Sequence, residues 1–346
     1  MNSNQQYCFK HSSGEDIYLF ALRNTKGNEV LITNYGAIIT SMKLRKADGS
    51  VNDIVLGFDR VEDYCSEDYL QQYIWMGCAV GRYANRIKDA SCIIDGKKIQ
   101  LSKNRGNDLL HGGETGFDKK IWQVASFDTA KNELELKYKS PDGEEGFPGN
   151  LDVSLRFKLD NDEFAYEYKA TTDRSTIVNL THHGYFNLEN GKGKNYDYLV
   201  RIDASHTLDQ NENLVATGTL SKVEDTEFDF RQQRKIGNQV TMENGYDKSF
   251  VLAKKENELT LAAEAFSERS NTKLEVYTTE PILHFYSGKG IPIMKGKNGN
   301  EYSSCSGFCF ETHKHPNAIN VPHFPNTILR PGEIYYEKTI YRFFEP

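Results

Sequence analysis

The chain has 346 residues, which is long for an ordinary domain but within the range of one large all-β domain. Its formal net charge of −7 argues against a surface built to bind nucleic acid or anionic lipid, and it suits a protein that handles a neutral substrate. The N-terminal residues lack a secretory pattern, and no stretch approaches the roughly 18 apolar residues that a membrane span requires. We therefore expect neither a nucleic-acid partner nor a membrane partner.

The cysteine pattern indicates the redox compartment. Six cysteines are scattered along the chain, and none forms a Cys-x-x-Cys pair. A chain of this length can bury a sizeable core without disulfides. The sequence therefore predicts free thiols in a reducing, cytoplasmic environment.

Period-two alternation of apolar and polar residues dominates the predicted elements, taken in chain order. A short helix is predicted over Val61 to Gln72, before the first clear strands. Half-buried antiparallel strands are predicted over residues 134–138, 151–159, 164–170 and 274–278, because successive side chains of a strand face opposite sides. Dipeptides typical of tight hairpins separate the apolar runs, at Asp48-Gly49, Asp95-Gly96, Asp142-Gly143, Asn190-Gly191, Asn244-Gly245 and Asn298-Gly299.

Many short strands, hairpin turns and few helices predict an all-β sandwich or barrel. No fixed-length repeat, low-complexity tract or Pro/Ser-rich linker divides the chain. We therefore predict a single domain over residues 1–346.

Two segments in the first third of the chain place polar side chains beside glycines. Asn85 and Arg86 follow Gly81, and amide and guanidinium groups can bind vicinal hydroxyls. His111 precedes two glycines, in a turn where the backbone can approach a ligand closely. Taken alone, these residues are also compatible with surface arginines and a solvent-exposed turn histidine.

Two adjacent histidines, His182 and His183, lie within the segment 181–188. Adjacent strand residues face opposite sides, so only one of the two side chains can enter a given pocket. Imidazole titrates near neutrality, which suits it to donate or accept a proton. A satisfied core histidine and a metal ligand are the alternatives, although the ligand spacings typical of zinc sites are missing here.

Two carboxylates stand beside apolar strands in the last third of the chain. Asp247 could accept hydrogen bonds from hydroxyl groups or could cap the turn before it. Phe308 and Phe310 share one face of a strand, so Cys309 and Glu311 share the other. A carboxylate at the end of an apolar strand is costly unless it is paired or functional. His313, His315 and His323 follow, and we interpret them as loop histidines rather than metal ligands.

Eight segments resemble the galactose mutarotase (aldose 1-epimerase) family, in the family's own order. The segment 142–149, Asp-Gly-Glu-Glu-Gly-Phe-Pro-Gly, is the most distinctive of them. The segments are Asn34 to Ala37, Asp53 to Gly57, Gly81 to Ile87, Leu110 to Gly113, Asp142 to Gly149, Thr181 to Leu188, Gly245 to Phe250 and Gly307 to Asn320.

The resemblance implies a large antiparallel β-sandwich with a sugar cleft on one concave sheet. It implies an isomerase that interconverts the α and β anomers of a free aldose, with Glu311 as general base and His183 as general acid on opposite sides of the sugar. His111 is the family's second histidine. The family pattern has asparagine where this chain has His182, and counting back from Tyr185 assigns the acid to His183.

The resemblance also implies the residues that hold the sugar. Asp247 and Arg86 match the family's sugar-binding aspartate and arginine, and Asn85 and Glu280 are expected near the cleft. The reaction involves neither redox chemistry nor group transfer, so we expect no metal and no nucleotide cofactor. The expected partner is a small-molecule aldose, bound by a monomer or weak homodimer.

Two other functions are compatible with parts of this pattern. Asp247 and Glu311 could form the carboxylate pair of a glycoside hydrolase, although a Glu–His pair is unusual in such enzymes. A non-catalytic sugar-binding protein could share the fold, because fold alone does not establish activity. Such a protein would be expected to lose Glu311 or His183, and both are present.

Overall fold

Antiparallel strands dominate the computed structural model, which describes residues 4–72, 74–237 and 244–346. The nine-stranded sheet contains, in spatial order, Gln123–Asp128, Glu133–Ser140, Leu151–Asp160, Glu163–Thr172, Tyr335–Phe344, Thr272–Thr278, Thr260–Ser267, Leu199–Ile202 and Arg234–Lys235. The six-stranded sheet contains, in spatial order, Tyr185–Phe186, Phe308–His313, Ile282–Tyr286, Asp247–Leu252, Ala204–Gln210 and Ala216–Lys222. The predicted all-β class is confirmed.

Smaller sheets and ladders complete the fold. A five-stranded N-terminal sheet contains Gln5–Lys10, Asp16–Arg23, Glu29–Thr33, Ile39–Arg45 and Val51–Asp53. Short ladders join Arg86–Ile87 to Leu109–Leu110, Ala79–Val80 to Thr181–His182, Ser91–Ile94 to Lys97–Gln100, Thr176–Ile177 to Ile328–Leu329, and Met294–Lys295 to Glu301–Tyr302. The first two ladders carry residues that become important at the site.

The alternation seen in the sequence decides which strand face is buried. In Leu151–Asp160 the apolar side chains at alternate positions are buried and most residues between them are exposed. Glu163–Thr172 repeats the pattern, and the two strands pair along their whole length. Burial of each such side chain contributes about 1.5–3 kcal/mol, so these strands anchor the core between the sheets.

The strand Phe308–His313 is buried on both faces, and its two faces differ in chemistry. Phe308 and Phe310 belong to the main apolar core. The Thr312 hydroxyl is hydrogen-bonded to Tyr166, at 3.0 Å, and to Thr339, at 2.6 Å, both on the nine-stranded sheet. Glu311 and its alternate neighbours therefore point to the opposite side of the six-stranded sheet.

Among the residues that the structure describes, helices occur only as short turns. The predicted helix over Val61 to Gln72 is two pieces, a 3-10 turn at Val61–Cys65 and an α-helical turn at Glu67–Leu70. Ser66 separates them because its hydroxyl accepts the Tyr69 N–H, at 3.3 Å, as an N-cap. The other 3-10 turns are Lys88–Ala90, Phe117–Lys119, Glu144–Gly146, Asn195–Asp197, Lys297–Gly299 and Ala318–Asn320. Nowhere in the described ranges does a helix have the length and apolarity needed to cross a bilayer.

The predicted turn dipeptides form hairpins at some positions and not at others. Asp95-Gly96 closes a two-residue hairpin with φ values of 50° and 76°, as the dipeptide predicts. Asn190-Gly191 instead lies between strands of different sheets, so the hairpin prediction is wrong there. The residues just before Asn244-Gly245 lie outside the described ranges, so the hairpin at that position stays a prediction. Asparagine and glycine tolerate positive φ in any tight reversal, and such a dipeptide alone does not say which strands pair.

Candidate active site

A cleft opens on the side of the six-stranded sheet that faces away from the nine-stranded sheet. It brings together all the predicted site residues except Glu280. The lining residues are Gln72, Ile74, Trp75, Asn85, Arg86, Arg105, Leu110, His111, His183, Tyr185, Asp247, His284, Tyr286, Gly290 and Glu311.

Strand register arranges the floor of this cleft. His284 pairs with Glu311 on one neighbouring strand and with Ser249 on the other. Tyr286, two residues further along, pairs with Asp247. Residues two apart on a strand share a face, so these side chains form adjacent rows across the floor.

Glu311 and His183 form the centre of the site. Glu311 Oε1 lies 3.5 Å from His183 Nε2, and the two side chains are only 2% and 5% exposed. The second carboxylate oxygen, Oε2, is buried and has no hydrogen-bond partner among the described residues. Acid and base were expected on opposite sides of the sugar, whereas the structure places them side by side.

Two opposing effects act on the protonation of His183. Burial lowers its pKa below the ordinary value of 6.5, and the neighbouring Glu311 carboxylate opposes that shift. The other ring nitrogen, Nδ1, lies 3.6 Å from the Cys309 thiol. His183 also stacks on Tyr185, with ring centroids 5.1 Å apart, so the imidazole is held in one orientation.

His111 approaches the pair from a left-handed turn. The Asn85 N–H donates to His111 Nδ1 at 3.3 Å, and the His111 N–H donates to the Asn85 carbonyl at 3.1 Å. Burial holds the pKa of His111 well below its usual range, so the ring is neutral. Because Nδ1 accepts a hydrogen bond, the proton of the neutral ring lies on Nε2.

Asn85 and Arg86 reach the cleft through the short ladder between Arg86–Ile87 and Leu109–Leu110. The Asn85 side-chain oxygen accepts the Arg86 N–H at 2.8 Å, which fixes the turn. Burial lowers the pKa of Arg86, while attraction to Asp247 opposes that shift. Arg86 Nε is buried with no hydrogen-bond partner in the described part of the chain, so it retains a donor for a ligand.

A hydrogen-bonded row runs from Ser249 through His284 to Asp247. The Ser249 hydroxyl lies 2.8 Å from His284 Nδ1, and His284 Nε2 lies 2.8 Å from Asp247 Oδ1. Burial opposes ionisation of Asp247, but the His284 hydrogen bond and charge outweigh it and hold the pKa of Asp247 below 3.8. Asp247 is therefore a carboxylate at neutral pH.

The adjacent histidine, His182, faces the protein core instead. Its Nε2 is hydrogen-bonded to the Ala37 carbonyl at 3.1 Å, and its ring packs against Phe157 and Tyr166. Burial lowers the pKa of His182 to about 4. The two histidines thus lie on opposite sides of the strand, and His183 is the one that faces the cleft.

The expected position of Glu280 near the cleft is wrong. Glu280 is buried away from the cleft lining, beside Glu337 of the nine-stranded sheet. Burial raises the pKa values of both carboxyl groups, and the pair is stable only if it retains protons. Glu280 is thus a core residue of the sheet interface. His313 and His315, expected in a polar loop, are also buried, and His313 ends a strand.

Several cleft residues were missed by the sequence analysis. Tyr185 lies two residues after His183, and His284 and Tyr286 lie two residues apart on the strand Ile282–Tyr286, which carries no predicted site residue that could have pointed to them. Trp75 and Arg105 lie outside the strands, and no periodic signal marks them. The Trp75 ring lies 4.7 Å from the His111 ring, measured between centroids.

His111, His183 and Glu311 also offer donor atoms within 4.8 Å of one another, a grouping that could hold a metal ion. The tautomer of His111 disfavours that use. A metal would need the lone pair of Nε2, and the ring proton would then move to Nδ1, where the Asn85 N–H already points. The hydrogen-bond arrangement favours proton chemistry at this cluster.

Comparisons with known proteins agree along nearly the whole chain. The family model for aldose 1-epimerase matches residues 18–342. Galactose mutarotase of Sus scrofa is 40% identical over 316 residues, covering 90% of this chain and 90% of that protein. Aldose 1-epimerase of Escherichia coli (strain K12) is 34% identical over 341 residues, covering 95% of this chain and 96% of that protein.

Solved structures share the architecture. An aldose epimerase homologue from C. elegans superposes with a TM-score of 0.87 at 27% identity, covering 94% of this chain and 98% of that chain. Galactose 1-epimerase from Lactobacillus acidophilus NCFM superposes with a TM-score of 0.84 at 28% identity, covering 99% and 98%. Sequence and structure together establish that this chain belongs to the aldose 1-epimerase family.

Proposed function

We propose that the chain is an aldose 1-epimerase, an isomerase that interconverts the α and β anomers of free aldoses such as D-galactose and D-glucose. The observation that carries the proposal is the buried Glu311–His183 pair, with a separation of 3.5 Å and an unpartnered Glu311 oxygen among the described residues. A desolvated carboxylate beside an imidazole is suited to moving two protons over a short path. The relatives named above carry the same activity in their names.

In the proposed reaction, Glu311 accepts the proton of the C1 hydroxyl while His183 donates a proton to the ring oxygen. The bond between C1 and the ring oxygen breaks, and C1 becomes an aldehyde carbon. Rotation about C1–C2 followed by the reverse proton transfers closes the ring as the other anomer. Both reacting oxygens are bonded to C1, so an acid and a base that lie side by side can serve them together.

The reactive protonation state is a His183 imidazolium beside a Glu311 carboxylate. Burial disfavours the imidazolium and lowers the pKa of His183, and the Glu311 carboxylate offsets part of that effect. The two charges cancel within the pair, and the proton transfers leave two neutral side chains. The site therefore avoids an isolated buried charge at either stage.

The remaining cleft residues are assigned to sugar binding. His111 presents the Nε2–H donor, Arg86 presents an unpartnered Nε–H, and Asp247 presents a carboxylate held by His284. The Trp75 ring supplies an aromatic face that can pack on the C–H side of a sugar. Together these groups would hold C1 over the catalytic pair.

A glycoside hydrolase is less well supported. Such an enzyme needs one carboxyl group protonated as a general acid. Asp247 is ionised and hydrogen-bonded to His284, so Glu311 would have to be that acid. Glu311 instead lies 3.5 Å from the His183 imidazole, an arrangement suited to a carboxylate base and an imidazole acid rather than to a pair of carboxyl groups. Release of reducing sugar from an aryl glycoside would revive this alternative.

We also propose that the enzyme uses no cofactor, acts in the cytoplasm, and is a monomer or weak homodimer folded as one domain. All six cysteines are free thiols, which supports a reducing compartment. One apolar core contains residues from Phe20 to Phe343, which supports a single domain. Light scattering after size-exclusion chromatography tests the oligomeric state.

The activity is tested by polarimetry of freshly dissolved pure anomers, α-D-galactose and α-D-glucose. The expected result is a protein-dependent acceleration of the approach to the equilibrium rotation. The acceleration should persist in the presence of EDTA. Equal rates with and without protein, for every aldose tried, would contradict the proposal.

A further inference from the structure

The segment Asp142 to Gly149 is the most distinctive part of the chain, yet none of its residues lines the cleft. It contains the short 3-10 turn Glu144–Gly146, in which Glu145 has a positive φ of 51°. Its side chains and carbonyls contact the two loops that carry His111 and Asn85. The segment can therefore influence the positions of His111 and Asn85 without contacting a ligand in the cleft.

Glu145 binds the loop that follows His111. Its Oε2 accepts the Glu114 N–H at 3.1 Å, and its Oε1 accepts the Thr115 N–H at 3.0 Å. Oε1 also accepts the Thr115 hydroxyl at 2.5 Å. One carboxylate thus satisfies three donors of the loop, starting three residues after His111.

The loop is packed so closely that a side chain at either of its glycines would displace a neighbouring group. A Cβ added at Gly113 would lie 2.2 Å from Glu145 Oε2. A Cβ added at Gly112 would lie 1.8 Å from the Gly81 carbonyl oxygen. The backbone after His111 is therefore held between the Glu145 carboxylate and the segment that leads to Asn85.

Arg82 ties the same segment to the second loop. It is 1% exposed, and its guanidinium donates to the carbonyls of Pro148, at 3.2 Å, and Gly149, at 2.9 Å. It also donates to the carbonyls of Ser140 and Pro141, the two residues just before the segment, at 2.9 and 2.8 Å. Arg82 lies three residues before Asn85.

These contacts hold both chain segments that determine the position of His111. Glu145 fixes the loop after His111, and Arg82 fixes the chain before Asn85. The Asn85 N–H in turn donates to His111 Nδ1 and sets its tautomer. A movement of either loop would lengthen this 3.3 Å hydrogen bond and leave the His111 proton free to move to Nδ1.

We propose that Glu145 is a positioning residue that fixes the orientation and tautomer of His111, an inference that rests on the proposed function for its effect on rate. Its ionised form is the one that binds. Burial opposes ionisation of Glu145, but its hydrogen bonds to Thr115 and neighbouring donors outweigh burial and lower its pKa. Glutamine at this position would keep one acceptor oxygen and would turn an N–H group towards an N–H donor.

A double-mutant cycle tests the proposal. Mutarotation by the intact protein is measured for wild type, Glu145→Gln, His111→Asn and the double variant, with thermal melting as a check on folding. Asp152→Asn is the control, because Asp152 lies exposed on the neighbouring strand Leu151–Asp160 and forms its salt bridge with the exposed Lys139. Thr115→Val, which removes one Glu145 contact, is a second variant in case Glu145→Gln folds poorly.

We expect Glu145→Gln to lower kcat/KM about 10- to 100-fold in the wild-type background, because a small displacement of a positioning group is costly. In the His111→Asn background the same change should lower kcat/KM no more than about twofold, since the two residues act as one unit. Asp152→Asn should stay within about twofold of wild type. Equal factors in both backgrounds, or no loss in either, would overturn the proposal.

Nitrogen NMR of the His111 ring provides a readout that does not depend on turnover. Wild type should show a single neutral tautomer with the proton on Nε2, and Glu145→Gln should show a mixture. An unchanged tautomer in a folded Glu145→Gln protein would overturn the proposal. If wild type failed to catalyse anomerisation, the proposed function would fail and the NMR comparison would still decide the role of Glu145.

Discussion

At the scale of single residues, the site depends on which of two adjacent histidines enters the cleft. His183 lies beside Glu311, while His182 is hydrogen-bonded to the Ala37 carbonyl inside the core. Strand alternation predicts that only one can face a pocket, and the family pattern identifies which one. His284 lies on a strand without a predicted site residue, and Trp75 lies outside any strand, so neither residue left a signal in the sequence.

Exchanging the two histidines for asparagine separates catalysis from packing. His183→Asn should lower kcat about 10²- to 10⁴-fold, because the proton donor to the ring oxygen is lost. His182→Asn should keep kcat within a few-fold of wild type and lower the melting temperature, because it leaves the cleft intact and removes core contacts. Polarimetry and thermal melting measure the two effects, and a larger rate loss for His182→Asn would contradict the assignment.

At the scale of elements, both strands and tight turns position the site. The strands of the six-stranded sheet supply Glu311, His284 and Asp247, and alternation in the sequence predicts the face on which Glu311 lies. The turn at His111 depends on close approach of two backbone segments, at Gly112 and Gly81. Sequence patterns predict the turn but not the segment against which it packs.

Substitution of glycine by alanine measures how much the turn at His111 depends on the close approach of Gly112 to Gly81. Gly112→Ala combines a positive φ of 88° with a Cβ placed 1.8 Å from the Gly81 oxygen, so the backbone must move. Gly96→Ala has a similar φ of 76° but open space around the Cβ, which makes it a matched control. We expect Gly112→Ala to cost about 3 kcal/mol or more in the free energy of unfolding.

The control should cost only about 1–2 kcal/mol, the ordinary penalty of a left-handed residue. Urea denaturation of both variants gives the comparison. Gly112→Ala should also lose activity, because His111 moves with the turn. Equal losses of stability in the two variants would show that close packing at Gly112 is unimportant.

At the scale of the whole molecule, strand alternation predicted the all-β class and the buried faces, but not the pairing of distant strands. Glu280 was misplaced because this pairing was unknown. Its placement beside Glu337 depends on the pairing of Thr272–Thr278 with Tyr335–Phe344, which are far apart in sequence. The resemblance placed Glu280 near the cleft, and only the three-dimensional register places it in the core.

The buried Glu280–Glu337 pair should make stability depend on pH. Burial raises the pKa of Glu337 well above 4.5, so the folded protein holds a proton that the unfolded chain releases. This contribution is complete below pH 4.5 and declines by up to about 1.4 kcal/mol per pH unit as pH rises towards the folded pKa. Glu337→Gln stays neutral and can still accept the Tyr335 hydroxyl.

Melting temperatures of wild type and Glu337→Gln from about pH 5 to 8 test this linkage. The variant should lose less stability with rising pH, and Glu301→Gln, at an exposed position, should follow wild type. The same pH slope in Glu337→Gln and wild type would contradict the account of the pair.

The most direct test of the central claim is mutarotation of fresh α-D-galactose by Glu311→Gln, together with calorimetric measurement of galactose binding. Glutamine keeps the size of the side chain and removes the base. We expect the catalysed rate to fall at least about 100-fold, towards the spontaneous rate, while binding is largely retained. A wild-type rate in a folded Glu311→Gln protein would contradict the assignment of Glu311 as the base.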